Sequence, residues 1–241
     1  MGYHQAMQKY IDGQVRYWKE RKDAIEAVEI LEHADKKNKP FVTLSREYGV
    51  GAFGLSEKIV HLINEKYKPV PEWASYDRKL LDKIMDDLGL SKSLAETLTD
   101  GARKKMTDFI QTSFSKFPPQ VAVYRRLVEI IRTLAVTGNV VIVGRAGNII
   151  TRDMVKGFHV RIVAPLSYRA ENISKRMNVS HKEAEQLIID KDAKRDGFIQ
   201  EFVKFDNTDP NNYHITVNLG HMSVDEAAAV IVNSMKDCGF L

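Results

Sequence analysis

The chain has 241 residues, with 36 Lys+Arg against 32 Asp+Glu for a net charge of +4. Hydrophobic residues at 44% and charged residues at 28% suit a globular protein with a real core, and exclude a mostly disordered, collagen-like or disulfide-stapled chain. The single cysteine, Cys238, allows no internal bridge, no apolar run approaches a membrane span, and residues 1–22 are studded with charge, so a cytoplasmic location is expected. The sequence pI near 8.9 suits anionic ligands. The positive charge is interspersed with Asp and Glu, so nucleotide-sized anions are expected as partners and neither nucleic acid nor a membrane.

Residues 10–35 carry Ile11, Trp18 and Ile25 at seven-residue spacing, with Val15, Val28 and Leu31 near the stripe, which predicts an amphipathic helix. It stops before Pro40, because the residue preceding proline avoids helix. Residues 1–39 are therefore expected as a helical extension, packed on the main body or used as a homodimer contact. Phe41-Val42-Thr43-Leu44 then predicts a strand. A glycine-containing loop follows, and residues 55–66 predict a helix with Ile59, Leu62 and Ile63 on one face. The segment 80–137 reads as mostly helical, with apolar positions from Val121 to Ala135 at helical spacing and a stop at Gly138. Val140-Val141-Ile142-Val143, the run 158–163 and the run 214–217 are further strand candidates. Ser93…Glu96, Ser180…Glu183 and Ser223…Glu226 match capping boxes, in which a serine and a glutamate satisfy each other's backbone donors at a helix start. Continuous apolar strands separated by helices predict an α/β fold: a three-layer, open, mostly parallel sheet with helices on both faces.

Ligands in such sheets bind beyond the carboxyl ends of the strands. Those exits are Ser45-Arg46 with the glycine loop, Gly144-Arg145-Ala146-Gly147, Ala164-Pro165 and Asn218-Leu219-Gly220. Two bring an arginine, and glycines let backbone approach a ligand closely. At the first exit, Gly49, Gly51 and Gly54 lead into a helix N-terminus, an arrangement that can cradle a phosphate or simply turn the chain. The usual phosphate-loop spacing ending in Gly-Lys-Ser/Thr is not met, since Ala52 stands where that pattern has lysine. Lys58, one turn into the helix, is a candidate to reach back, and Ser45 or Ser56 to supply the missing metal-binding hydroxyl. His33, His61 and His181 lack metal-ligand spacing, so no histidine metal site is expected. A Ser/His/Asp hydrolase lacks its nucleophile elbow.

Val42-Thr43-Leu44-Ser45-Arg46-Glu47-Tyr48-Gly49-Val50-Gly51 resembles the opening of the cytidylate kinase-like family, a branch of the P-loop nucleoside monophosphate kinases. The resemblance continues at Tyr76-Asp77-Arg78-Lys79-Leu80-Leu81, at Val141 to Ala146, at His159 to Leu166 and around Asp192-Ala193-Lys194-Arg195, spanning roughly residues 40–235. It implies a P-loop kinase-like domain over 40–241 with a helical lid near 167–205. It implies ATP and Mg²⁺ as cofactors, and transfer of the ATP γ-phosphoryl group to CMP or dCMP. Nucleotide binding falls to Ser45, Arg46, Tyr48, Gly49, Val50, Gly51, Ala52 and Gly54. Tyr76, Asp77, Arg145 and Asp192 are implied at the acceptor, and Arg145, Arg169, Arg176, Lys191 and Arg195 as the cations around the migrating phosphoryl group. Without the resemblance, Asp77 is equally a helix cap, and Arg169, Arg176, Lys191 and Arg195 equally members of solvated helix faces. Three departures stand out: no loop lysine, Phe53 where relatives carry arginine, and Ala146 where cytidylate kinases carry aspartate. They leave a second reading open, a degenerate kinase fold that binds nucleotide or a protein partner without transfer.

Overall fold

The computed structural model describes residues 39–77, 128, 130–203 and 205–241. The predicted helix over 10–35, the Ser93…Glu96 capping box and most of the helical segment 80–137 lie outside them. The chain divides into two compact units, Met1–Lys39 with Tyr76–Gly138, and Pro40–Ser75 with Asn139–Leu241. In the first unit, residues 130–137 are helical and end at Gly138, whose φ of +67° only glycine adopts cheaply.

The second unit carries the sheet. In chain order the elements are β1 (Phe41–Arg46), α1 (Ala52–Tyr67), β2 (Ala74–Tyr76), β3 (Val140–Val143), α2 (Gly147–Ile150), β4 (Gly157–Val163), α3 (Leu166–Met177), α4 (His181–Val203), β5 (Ile215–Asn218) and α5 (Val224–Asp237). The strand order is β2-β3-β1-β4-β5. β1 pairs in parallel with both β3 and β4, and β4 with β5. The chain leaves β1 toward one edge and later returns to build the other, so the switch point of the topology lies at the carboxyl end of β1.

Alternation along the strands separates two faces. Val42, Leu44, Val141, Val143, Phe158, Val160, Ile162 and Val217 pack with Leu55, Ile59 and Ile63 of α1 and with Ala227, Ala228, Ile231, Val232 and Met235 of α5. Every one of these is buried, and this layer is the core. The opposite face is partly polar: Thr43 opposes His159, and Ser45 opposes Arg161. Gly147, the first residue of α2, lies against Ile142 and Thr43 on that face. Helices α3 and α4 form a hairpin around Ala170, Ile173, Ala184 and Ile188.

The expected α/β fold with a parallel sheet is present, and the four predicted strands fall within a residue or two of their expected bounds. Both described capping boxes form, Ser180 with Glu183 and Ser223 with Glu226. Helix α1 starts three residues earlier than its apolar pattern, because Gly51 at φ +85° turns the chain directly into it. Strand β2 is a three-residue element that the pattern does not announce. Its Ala74 N–H donates to the Asn139 carbonyl at 3.1 Å. The four-residue helix α2 is likewise too short to carry a periodicity. Among the described residues no helix is long and apolar enough to cross a membrane.

Candidate functional site

The loop between β1 and α1 sits at the switch point and is fastened from several sides. Glu47 N–H continues the strand ladder to the Ile162 carbonyl at 3.1 Å. The Glu47 carboxylate accepts the Ala164 N–H at 3.0 Å. Val50 is 1% exposed and belongs to the core. Gly49 combines φ +87° with close packing, since a Cβ there would lie 3.0 Å from Ile173 Cγ1 and 3.1 Å from the Arg169 carbonyl. Gly51 is set by its backbone alone, because a side chain there would meet no atom within 4 Å.

The α3–α4 hairpin supplies most of the remaining ties, chiefly to loop backbone. Arg169 donates through Nη1 to the Tyr48 carbonyl at 3.2 Å and through Nε to the Ala164 carbonyl at 3.0 Å. It also ion-pairs with Asp192, and with Glu47 at 3.4 Å. Asp192 accepts the Tyr48 N–H at 2.8 Å, and Asn172 donates to the Gly49 carbonyl at 3.1 Å. Arg195 donates to the Arg46 carbonyl at 2.7 Å and approaches Asp192 at 3.4 Å. Burial pulls the Arg195 pKa below its usual value and the Arg161 charge adds to this, while Asp192 and Asp196 oppose it. The hairpin thus holds the loop's shape through the Arg46, Tyr48 and Gly49 carbonyls and the Tyr48 N–H.

What remains open is the N-terminus of α1. The first-turn N–H groups of any helix lack intrahelical acceptors. Here no side chain caps them and no acidic residue lies in the first turn. Gly54, inside that turn, is exposed, and a Cβ there would meet nothing within 4 Å. An uncapped, acid-free helix start behind two left-handed glycines favours an anion.

The β3 exit lies beside the β1 exit. Gly144, Arg145 and Ala146 all adopt left-handed backbone, at φ +77°, +54° and +56°. For Arg145 and Ala146 this is strain of the kind that collects at binding sites. Gly144 has a second constraint: a Cβ there would lie 1.6 Å from Arg46 Nη1, so the Arg46 guanidinium rests directly on that glycine. Arg145 is half-buried, with Nε sealed from solvent.

Of the sequence candidates, Arg46, Tyr48, Gly49, Arg169, Asp192 and Arg195 are brought into one hydrogen-bonded unit, with Val50 and Gly51 in the same loop. Ser45 belongs to a separate buried cluster with Arg161, Asn207 and Tyr213. Ala52, the position of the absent lysine, is 6% exposed and packs in the core. Arg176 and Lys191 are exposed. Tyr76 ends β2 and is buried, and Asp77 follows it half-buried. Lys58 does not reach back toward the loop: its Nζ pairs with Asp225 at the start of α5, at 2.8 Å. Ser56 is 0% exposed and donates to the Phe53 carbonyl at 2.7 Å, while accepting from Ser75. The two candidate serine hydroxyls, of Ser45 and Ser56, are thus both hydrogen-bonded within the protein, and among the described residues no group of three His, Cys, Asp or Glu could hold a metal. Glu47, Asn172, Arg161, Asn207 and Tyr213 were not singled out from the sequence. For Arg161 a signal existed, a charged residue at the polar parity of an otherwise apolar strand.

The architecture is an open parallel α/β sheet with a glycine loop at its switch point. A model of the cytidylate kinase-like family matches residues 41–221, and the chain belongs to that family. No curated protein matches it. An uncharacterized protein from Eubacterium ventriosum superposes with a TM-score of 0.61 at 20% identity, over 83% of this chain and 99% of that one. Shikimate kinase from Bacteroides thetaiotaomicron aligns with a TM-score of 0.47 at 13% identity, over 84% and 99%. The APS kinase of Mycobacterium tuberculosis aligns with a TM-score of 0.45 at 16% identity, over 83% and 98%. The likeness to the Eubacterium protein is one of fold.

Proposed function

We propose that the chain is a nucleoside monophosphate kinase-like phosphotransferase that passes the ATP γ-phosphoryl group to CMP or dCMP. The observation that carries this reading is the uncapped, acid-free start of α1 behind Gly49 and Gly51, held at the switch point of the sheet. Its first-turn N–H groups suit the phosphates of a nucleoside triphosphate. Arg46 and Arg145, together at the β3 exit, suit the phosphate that approaches from the acceptor side. Phosphoryl transfer asks for alignment and positive charge rather than covalent help, and these residues supply both. Mg²⁺ would arrive on the triphosphate, since the Ser45 and Ser56 hydroxyls are engaged within the protein.

The burial of Ala52 favours a second reading, a kinase fold that binds nucleotide without transfer. A lysine at that position would enter the core rather than face a phosphate. The domain reading is proposed with the same function: a kinase-like domain over 40–241, its α3–α4 region acting as lid, and a helical extension over 1–39 that pairs two copies. Loss of the extension would then halve the mass in solution.

The test is ADP release from ATP and Mg²⁺ with CMP, dCMP, UMP, AMP, GMP or no acceptor. Release that requires a cytidine monophosphate supports the kinase. Nucleotide binding with no release in any tube replaces it with the binding module.

A further inference from the structure

Arg161 lies on β4 opposite Ser45 of β1, on the polar face of the sheet, and is 6% exposed. A guanidinium carries five donors and a charge it cannot shed, so a buried arginine is ordinarily matched to a carboxylate. Among the described residues none lies within ion-pair distance of it. Its one hydrogen bond runs from Nη1 to Ser45 Oγ at 3.2 Å, and its Cζ stands 5.9 Å from the Tyr213 ring centre. Asp206, whose carboxyl it helps hold below the usual range, is exposed and is bound first to Thr208.

The surroundings are polar and already arranged. Ser45 donates to Asn207 Oδ1 at 3.0 Å, the Tyr213 hydroxyl donates to the same atom at 2.7 Å, and Asn148 reaches the Tyr213 hydroxyl at 3.4 Å. Ser45, Asn148 and Asn207 are all buried. The charge of an arginine buried without a carboxylate destabilises the protein, and a bound anion offsets that penalty.

We propose that Arg161, with Ser45, forms an anion subsite for a phosphomonoester, the phosphate of the acceptor nucleotide, separate from the cradle at the start of α1. The assignment to an acceptor rests on the kinase reading; the anion subsite itself does not. The arrangement also explains why Arg161 lacks a carboxylate: one would compete with the ligand. Arg145 remains on the β3 side, so the acceptor phosphate would be gripped from both neighbours of β1.

The experiment is thermal unfolding of the full chain and of Arg161→Met, each alone and with inorganic phosphate, CMP or ATP. Methionine keeps an unbranched apolar stem and removes the charge. A subsite kept at the expense of stability predicts a ligand-free midpoint equal to or above wild type. CMP and phosphate affinities should fall about 10- to 100-fold, the effect of losing a charged hydrogen bond or two, with ATP affinity unchanged. CMP stabilising the variant as much as wild type overturns the proposal. So does a ligand-free midpoint several degrees lower, which would make Arg161 a structural residue. Phosphate binding that depends on Arg161, without CMP binding, keeps the anion subsite and removes the acceptor reading. Wild type indifferent to both anions overturns the subsite outright. If the methionine variant does not fold, Arg161→Lys keeps the charge at shorter reach, and weakened CMP binding with the fold intact is required of it.

Discussion

Replacing Arg169 by alanine tests whether the α3–α4 hairpin shapes the loop. The arginine side chain is 11% exposed and its ion-pair partners Asp192 and Glu47 are 23% and 26% exposed. Breaking one side of a buried pair costs about 3–5 kcal/mol when the remaining charge is orphaned. Here neither carboxylate is: Asp192 keeps the Tyr48 N–H and Arg195, and Glu47 keeps the Ala164 N–H. The loss is then mainly the two carbonyls, of Ala164 and Tyr48, deprived of a charged donor, at about 1 to 1.5 kcal/mol each. The expected total is about 2–3 kcal/mol, or roughly 4–12 °C in the midpoint for a chain of this size. The assay is far-UV circular dichroism melting, with an Asp192→Asn variant and the double variant to close a cycle. Since the two side chains touch, coupling of about 1–3 kcal/mol is expected. The freed loop should also bind ATP more weakly. A midpoint within about 2 °C of wild type, with additive single changes, would refute the clamp and return Arg169 to a role at the substrate.

Two further outcomes follow from the same geometry. Burial, with a smaller contribution from His214, lowers the His159 pKa from 6.5 to about 4, and Thr43 Oγ1 shares a hydrogen bond with its Nδ1 at 2.8 Å. Between those values the unfolded chain binds the proton and the folded one does not, so stability falls as pH drops from 6.5 toward 4, by about 3 kcal/mol for this group. Melting curves across that range should be shallower in pH for His159→Gln, and an unchanged slope counts against the burial argument. Gly144→Ala and Gly51→Ala both meet a positive φ, at about 1–2 kcal/mol. Only the first also displaces the Arg46 guanidinium. Both should melt lower by similar amounts, and Gly144→Ala should lose turnover through Arg46. Wild-type turnover in Gly144→Ala would separate Arg46 from the chemistry.

The strands were legible because their runs are apolar on both faces or nearly so, as Val140 to Val143 shows, and the described helix starts because a serine and a glutamate three apart close a ring of bonds. The glycine loop was legible because positions such as Gly49 and Gly51 need backbone that other residues avoid. The partners of that loop were not. Asn172 and Glu47 bind backbone atoms distant in sequence, and such bonds leave no periodicity. Arg169 and Asp192 were singled out through resemblance, but their common target, the peptide group of Tyr48, depends on how the hairpin packs. Arg161 was hidden differently. It was quoted inside a β-rich run, yet strand parity sets it and His159 apart from Val160 and Ile162. That alternation, laid beside Thr43 and Ser45 in β1, contains the polar face of the sheet.

The direction of one small side chain bears on where positive charge can come from. Ala52 points into the core between α1 and the sheet, so the absent lysine is not a gap in an otherwise orthodox loop. A lysine there would have to bury its ammonium among Leu55, Val50 and their neighbours, at a cost no phosphate contact would offset. Lys58, the nearest alternative on α1, is committed to Asp225. Cationic help for a phosphate must therefore approach from the strand ends and the hairpin. There Arg46 rests on Gly144, Arg161 lies beneath Ser45, and Arg195 ties the two regions through the Arg46 carbonyl. On the kinase reading, positive charge for the phosphates comes from the strand ends and the hairpin rather than from the helix that follows the loop.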